Sequence, residues 1–203
     1  MATKCLTKNN TNFSAGVPVF SAMKDSQTRA STWHETILAT LKANDVKLIV
    51  YVPDRVFTPL IKALHADPFF TTFAAAREEE ALGIITGAWM GGLRGAVLMQ
   101  TSGFATIPNT LASLVVPCQI PALIFVSERG TLGEFNFGQA LVCKTMRPVL
   151  NSLAVENITI TRQDELAFTV DRVDQAGRGY ASARYFHPLA VTDRRQIVRR
   201  MML

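Results

Sequence analysis

Two short segments of this chain hold the residues best suited to chemistry. Arg77-Glu78-Glu79-Glu80 places three carboxyls in succession, followed by the small residues Ala81, Gly83, Gly87 and Ala88, which permit close backbone approach. Acids in a first helical turn offset the positive end of the helix dipole, and that role alone would account for them. A carboxylate facing a pocket has a second use, because burial raises its pKa and lets it hold or give up a proton. Gln100-Thr101-Ser102-Gly103-Phe104-Ala105-Thr106 is the other segment. Gly103 offers either a positive φ or the close approach of a ligand, and the segment also reads as an ordinary polar turn.

Other chemistries lack a sequence warrant. The chain contains no G-x-x-x-x-G-K-[ST] and no G-x-G-x-x-G, so neither a P-loop nor a Rossmann dinucleotide site is indicated. No Ser or Cys occupies a G-x-S-x-G elbow. His34, His65 and His187 are far apart and lack metal-ligand spacing, and Cys5, Cys118 and Cys143 form no C-x-x-C pair. No metal site is expected in this chain. Three cysteines, odd in number and without a C-x-x-C pair, fit a reducing compartment, and a cytoplasmic location is expected.

The elements that must position these segments alternate along the chain. Thr32 and Glu35 have capping-box spacing, and Trp33, Ile37, Leu38 and Leu41 recur at helical intervals, which predicts a first helix ending near Asn44. Strands are expected at 47–52, 70–74, 96–100, 122–127, 157–160 and 189–192. Helices are expected at about 57–65, 78–93, 108–116, 140–153 and from 164 onward, with a loop at 128–136. Each strand reads as an apolar run with little alternation, the pattern of a parallel sheet covered on both faces. The expected fold is α/β and doubly wound, with about six parallel strands. Ligands in such a sheet bind beyond the carboxyl ends of the strands, at 53–55, 75–79, 101–106 and 128–136.

Composition agrees. With 203 residues, 48% hydrophobic and 18% charged, one globular domain is expected over 31–203, after a flexible leader at 1–30 that is rich in Thr, Asn, Ser and Lys. The net charge is +5, but the excess sits at the two ends, +3 in residues 1–30 and +3 in 162–203, while the middle is −1. That distribution argues against a nucleic-acid recognition surface. Arg194, Arg195, Arg199 and Arg200 read as a solvated helix face. The uncharged run 95–127 contains Gln100, Asn109, Gln119 and three prolines, so it reads as buried core and not as a membrane span.

Taken in order, Tyr51-Val-Pro-Asp-Arg55, Arg77-Glu-Glu-Glu-Ala-Leu-Gly-Ile-Ile-Thr-Gly87, Met99-Gln-Thr-Ser-Gly103 with Asn109-Thr-Leu-Ala-Ser-Leu114, and Arg129-Gly130 with Gly133-Glu-Phe-Asn136 and Gln139 resemble the pyrimidine-binding (Pyr) domain of thiamine-diphosphate enzymes. The resemblance is to the sulfopyruvate decarboxylase α subunit and the matching half of phosphonopyruvate decarboxylase, and it covers about 32–166. It implies a cofactor, thiamine diphosphate, and a role for Glu78, nine residues before Gly87. By the resemblance Glu78 is the catalytic carboxylate that hydrogen-bonds the aminopyrimidine N1′ and favours its imino tautomer. Gln100, Ser102, Gly103 and Asn109 would line the same end of the sheet as cofactor-binding residues. The reaction implied is loss of CO2 from a 2-oxo acid, 3-sulfopyruvate giving sulfoacetaldehyde.

Two departures bear on the substrate. Pro53-Asp54-Arg55 stands where relatives tend to have Pro-Asp-Ser, placing a cation that either meets an anionic substrate group or points to solvent. Thr101-Ser-Gly-Phe-Ala-Thr106 resembles the acetolactate synthase stretch as much as the decarboxylase one. Phosphonopyruvate decarboxylation and acetolactate-synthase-like carboligation therefore stay open, as does a non-enzymatic binding or regulatory protein. The sequence contains no Gly-Asp-Gly, the motif that holds Mg2+ and the diphosphate in this family. A β subunit carrying the diphosphate-binding (PP) domain and the Mg2+ is the expected partner, in a hetero-oligomer acting on a small anionic 2-oxo acid.

Overall fold

Runs of branched apolar side chains form the sheet. The computed structural model describes residues 31–131, 133–179 and 189–193. Its strands are β1 (Leu48–Tyr51), β2 (Thr71–Ala74), β3 (Gly95–Gln100), β4 (Leu123–Ser127), β5 (Asn157–Ile160) and β6 (Leu189–Asp193). They hydrogen-bond in the order β2-β1-β3-β4-β6-β5, and every pairing is parallel. The expected sheet of about six parallel strands is present. The leader at 1–30, His187 and the Arg194–Arg200 cluster lie outside the described residues.

The helices are α1 (Trp33–Ala43), α2 (Thr58–Ala66), α3 (Glu78–Met90), α4 (Thr101–Phe104), α5 (Pro108–Thr110), α6 (Phe137–Ser152) and α7 (Leu166–Gly179). They cover both faces. Val50, Val97, Met99, Ile124 and Val126 pack against α3, the segment 104–115 and α6. Ile49, Ala96, Leu98, Leu123 and Phe125 pack against α1, α2 and α7. Neighbouring strand residues thus alternate between two cores while both are buried, which is why β1, β3 and β4 read as unbroken apolar runs. β2 is an edge strand and its residues are mostly exposed. No helix among the described residues is long and apolar enough to cross a membrane.

Boundaries move for local reasons. At the start of α1 the Glu35 carboxylate accepts the Thr32 backbone N–H at 2.8 Å, as the capping-box spacing requires. The helix expected over 78–93 stops at Met90, because Gly91 and Gly92 follow and Gly92 adopts φ 82°. The helix expected from 140 begins three residues earlier, where Asn136 caps it by accepting the Gly138 N–H at 3.0 Å. The helix expected over 108–116 forms as α5 followed by a π-helical turn (Leu111–Val115).

The strand order places β1 between β2 and β3, so the chain leaves β1 toward one side of the sheet and returns on the other. α2 after β1 and α5 after β3 cover opposite faces, and the crevice at the carboxyl ends of β1 and β3 is the topological switch point.

Candidate functional site at the strand ends

Three adjacent acids at the start of α3 have three different environments. Glu80 Oε2 accepts the Ala76 backbone N–H at 2.8 Å, closing the helix N-terminus. Glu79 pairs with Arg77 at 3.3 Å, and its carboxyl is held below the usual range by its own backbone N–H first and by Arg77 next. Glu78 is half-buried, and among the described residues neither a hydrogen bond nor an ion pair engages it.

Glu78 lies instead against the turn after β3. A Cβ placed on Gly103 would stand 2.1 Å from Glu78 Oε1 and 2.5 Å from Cδ, so the carboxylate occupies the space that any larger residue at 103 would fill. The positive-φ glycines among the described residues are Gly92, Gly130 and Gly133, so Gly103 serves for close approach and not for a left-handed turn. Gly103 is buried in α4, the short helix that replaces the turn expected over 101–106. The acid and the strand-end glycine, 25 positions apart, are thereby brought together.

The other expected site residues divide. Gln100 ends β3 and is half-buried, as is Ser102 in the first turn of α4. Asn109 lies on α5, which packs against α3, and its side chain is exposed. Pro53 and Arg55 are exposed. Asp54 is turned inward, where its Oδ2 accepts the Ser127 hydroxyl at 2.6 Å and ties the end of β1 to the end of β4 across β3. The two histidines described have structural partners: His65 Nε2 lies 3.0 Å from the Tyr51 hydroxyl, and His34 Nε2 lies 3.3 Å from Thr32 Oγ1.

Several residues of the expected strand-end segments brace this end of the sheet. Fully buried Thr101 donates its hydroxyl to the Ser127 carbonyl at 3.1 Å and accepts the Arg129 N–H at 2.7 Å, locking the turns after β3 and β4 together. Arg129 in turn grips Glu134 through Nε at 2.8 Å and a terminal nitrogen at 3.0 Å. Gly130, at φ 91°, has a reason of its own: a Cβ there would meet the Gln139 carbonyl oxygen at 2.1 Å. Among the described residues no group of three or more His, Cys, Asp or Glu could hold a metal ion.

The Arg129 pair gives the loop a pH dependence. The Arg129 guanidinium holds the Glu134 carboxyl down to about 2 from an ordinary 4.5, with burial opposing and the Asn136 N–H assisting. A depressed folded-state pKa contributes stability above 4.5, lost as the pH falls from there toward about 2. Glu134→Gln is expected to give a shallower loss of stability across that window, as read from urea unfolding midpoints taken at successive pH values.

Comparison with known proteins adds the relatives. No family model matches the chain. It is 40% identical over 98 residues to the sulfopyruvate decarboxylase subunit alpha of Methanocaldococcus jannaschii, covering 48% of this chain and 58% of that one. The subunit alpha of Methanothermobacter thermautotrophicus is 35% identical over 121 residues, covering 60% of this chain and 73% of that one. The phosphonopyruvate decarboxylase of Streptomyces viridochromogenes is 36% identical over 98 residues, 48% of this chain but 25% of the relative. Among solved structures, a Mycobacterium smegmatis protein described as thiamin diphosphate-dependent superposes with TM-score 0.64 at 14% identity, over 82% of this chain and 31% of that one. The 2-oxoglutarate:ferredoxin oxidoreductase of Magnetococcus marinus superposes with TM-score 0.59 at 11% identity, over 80% and 29%. At those identities the likeness is one of fold.

Proposed function

The chain belongs to the family of sulfopyruvate decarboxylase alpha subunits, and from that premise we propose that it is the pyrimidine-binding subunit of a thiamine-diphosphate-dependent decarboxylase of a small anionic 2-oxo acid, 3-sulfopyruvate foremost. The observation that carries the reading is the half-buried Glu78 carboxylate, without a partner among the described residues, held against the bare Cα of Gly103 at the carboxyl ends of the strands. Such a carboxylate fits the aminopyrimidine end of the cofactor, which needs an acceptor that is not already satisfied by the protein.

Thiamine diphosphate, when bound, supplies an acidic thiazolium carbon and an electron sink for loss of CO2. The contribution of this chain is to hold and exchange one proton at a Glu78 carboxylate oxygen. Glu79 and Glu80 are occupied by Arg77 and by the Ala76 N–H, which leaves Glu78 for that work. Gln100 and Ser102, half-buried at the same end, are polar groups for orienting the ring, and Asn109 stands nearby on α5. The diphosphate and Mg2+ fall to a beta subunit, since the relatives are themselves named as alpha subunits. Exposed Arg55, next to inward-turned Asp54, is suited to the sulfonate of the substrate, because a guanidinium binds such a group through two parallel hydrogen bonds.

The test is native mass spectrometry and turnover of the chain isolated with its partner. A stoichiometric complex retaining thiamine diphosphate and Mg2+, and decarboxylating 3-sulfopyruvate in preference to 3-phosphonopyruvate and pyruvate, is expected. A partnerless chain that takes up no cofactor would overturn the reading. In the active complex Arg55→Ala is expected to raise KM by roughly thirtyfold, the equivalent of about 2 kcal/mol for hydrogen bonds between charged groups, with kcat little changed.

A further inference from the structure

The turn after β3 does more than border the site. Gly103 has no positive φ to require glycine, yet its Cα touches the Glu78 side chain so closely that a methyl group would overlap Oε1, Cδ and Cγ, at 2.1, 2.5 and 2.6 Å. Its carbonyl is fixed by Thr106 twice, through the backbone N–H at 3.0 Å and the hydroxyl at 2.8 Å. Thr106 therefore pins the backbone of the turn that carries Gly103, the turn against which Glu78 lies.

We infer that Gly103 and Thr106 are positioning residues that fix the Glu78 carboxylate: Gly103 by leaving the space in which it lies, Thr106 by holding the Gly103 carbonyl and with it the backbone that borders this space. The inference rests on the function proposed above, and it differs from a direct contact between Gly103 and the cofactor. Atoms overlapped by a methyl at 103 belong to one flexible side chain, so Gly103→Ala is accommodated by a swing of Glu78 and not by a shift of backbone. The fold is retained and the carboxylate is misplaced. Thr106→Val keeps the shape of the side chain and removes the hydroxyl, and Thr106→Ser restores it.

Activity and calorimetric thiamine diphosphate binding of the complex with its partner, beside thermal unfolding of each variant, decide the matter. Gly103→Ala is expected to lower kcat/KM by about 100-fold, the scale of a 1 Å misplacement, with an unchanged unfolding midpoint. In a Glu78→Gln background the same substitution is expected to change neither kcat/KM nor the cofactor Kd by more than about threefold, because the group it displaces is already disabled. Thr106→Val is expected to weaken cofactor binding by about fivefold, with Thr106→Ser near the parent. Losses that add in the double variant would overturn the inference in favour of direct contact, and a fully active Gly103→Ala would overturn it outright. Failure of the parent complex to bind thiamine diphosphate would overturn the proposed function and this inference together, and so is distinct from either of those results.

Discussion

Glu78→Gln is expected to lower kcat/KM by about 1,000-fold while the unfolding midpoint stays where it was, the scale at which a positioned proton-transfer group contributes. Glutamine keeps the size of the side chain and one acceptor oxygen but cannot hold and return a proton. The fold should tolerate the change because no hydrogen bond or ion pair engages Glu78 among the described residues. The remaining cost is one acid fewer in the first turn of α3, worth about 0.5 kcal/mol near a helix dipole. Glu79→Gln and Glu80→Gln make the contrast. Glu79→Gln removes the ion pair with Arg77 and Glu80→Gln removes the charge from the acceptor of the Ala76 N–H, so each should cost a little stability while leaving turnover within about threefold of the parent. Steady-state kinetics and unfolding on the three variants check this, and a Glu78→Gln complex that still turned over would move the role to another acid or end the reading.

That contrast also shows what the sequence could and could not convey. Three consecutive glutamates are equivalent in a sequence, and spacing alone leaves both a dipole-offsetting role and a pocket role open. Glu79 and Glu80 take partners two and four residues away, and only the packing of Glu78 against the turn after β3 gives it a neighbour that spacing cannot show. The glycine at 103 was legible as a feature, but its cause was not. Positive φ and close approach are both reasons for glycine, and the choice between them depends on Glu78, 25 residues earlier.

The sheet was legible because its signal is local. β1, β3 and β4 are short apolar runs bounded by turn residues, and doubly buried strands have no other way to be written. Boundaries drifted where caps decide them, as at Met90 before Gly91-Gly92 and at Asn136 before α6. The braces of the site were illegible. Ser127 to Asp54 spans 73 positions and Thr101 to Arg129 spans 28, and a hydroxyl that ties two strand ends looks in the sequence like any other Ser or Thr.

The second large effect is expected away from the proposed chemistry. Glu128 leaves the end of β4 with its side chain 1% exposed, and Arg147 of α6 meets both its oxygens at 2.9 Å. Arg147 also donates to Thr159 on β5, so one guanidinium joins β4, β5 and α6. Burial disfavours a carboxylate, and at Glu128 the facing guanidinium offsets that cost, with the Cys143 thiol 3.5 Å from Oε1 as a further neighbour. Arg147→Met keeps the apolar stem and removes the guanidinium that meets both Glu128 oxygens, and it is expected to lower the unfolding free energy by about 3 kcal/mol in urea titrations. Glu128→Leu combined with Arg147→Met should recover most of the loss, since the buried carboxylate and its guanidinium are then replaced together. An Arg147→Met chain as stable as the parent would mean that water reaches Glu128 once the guanidinium is gone. Because Arg129, the next residue, donates its N–H to Thr101 two positions before Gly103, slack at Glu128 would also reach the seat of Glu78. Activity in the Arg147→Met variant should therefore fall at temperatures below its unfolding transition, whereas the double variant, whose β4 end is again without strain, should regain it.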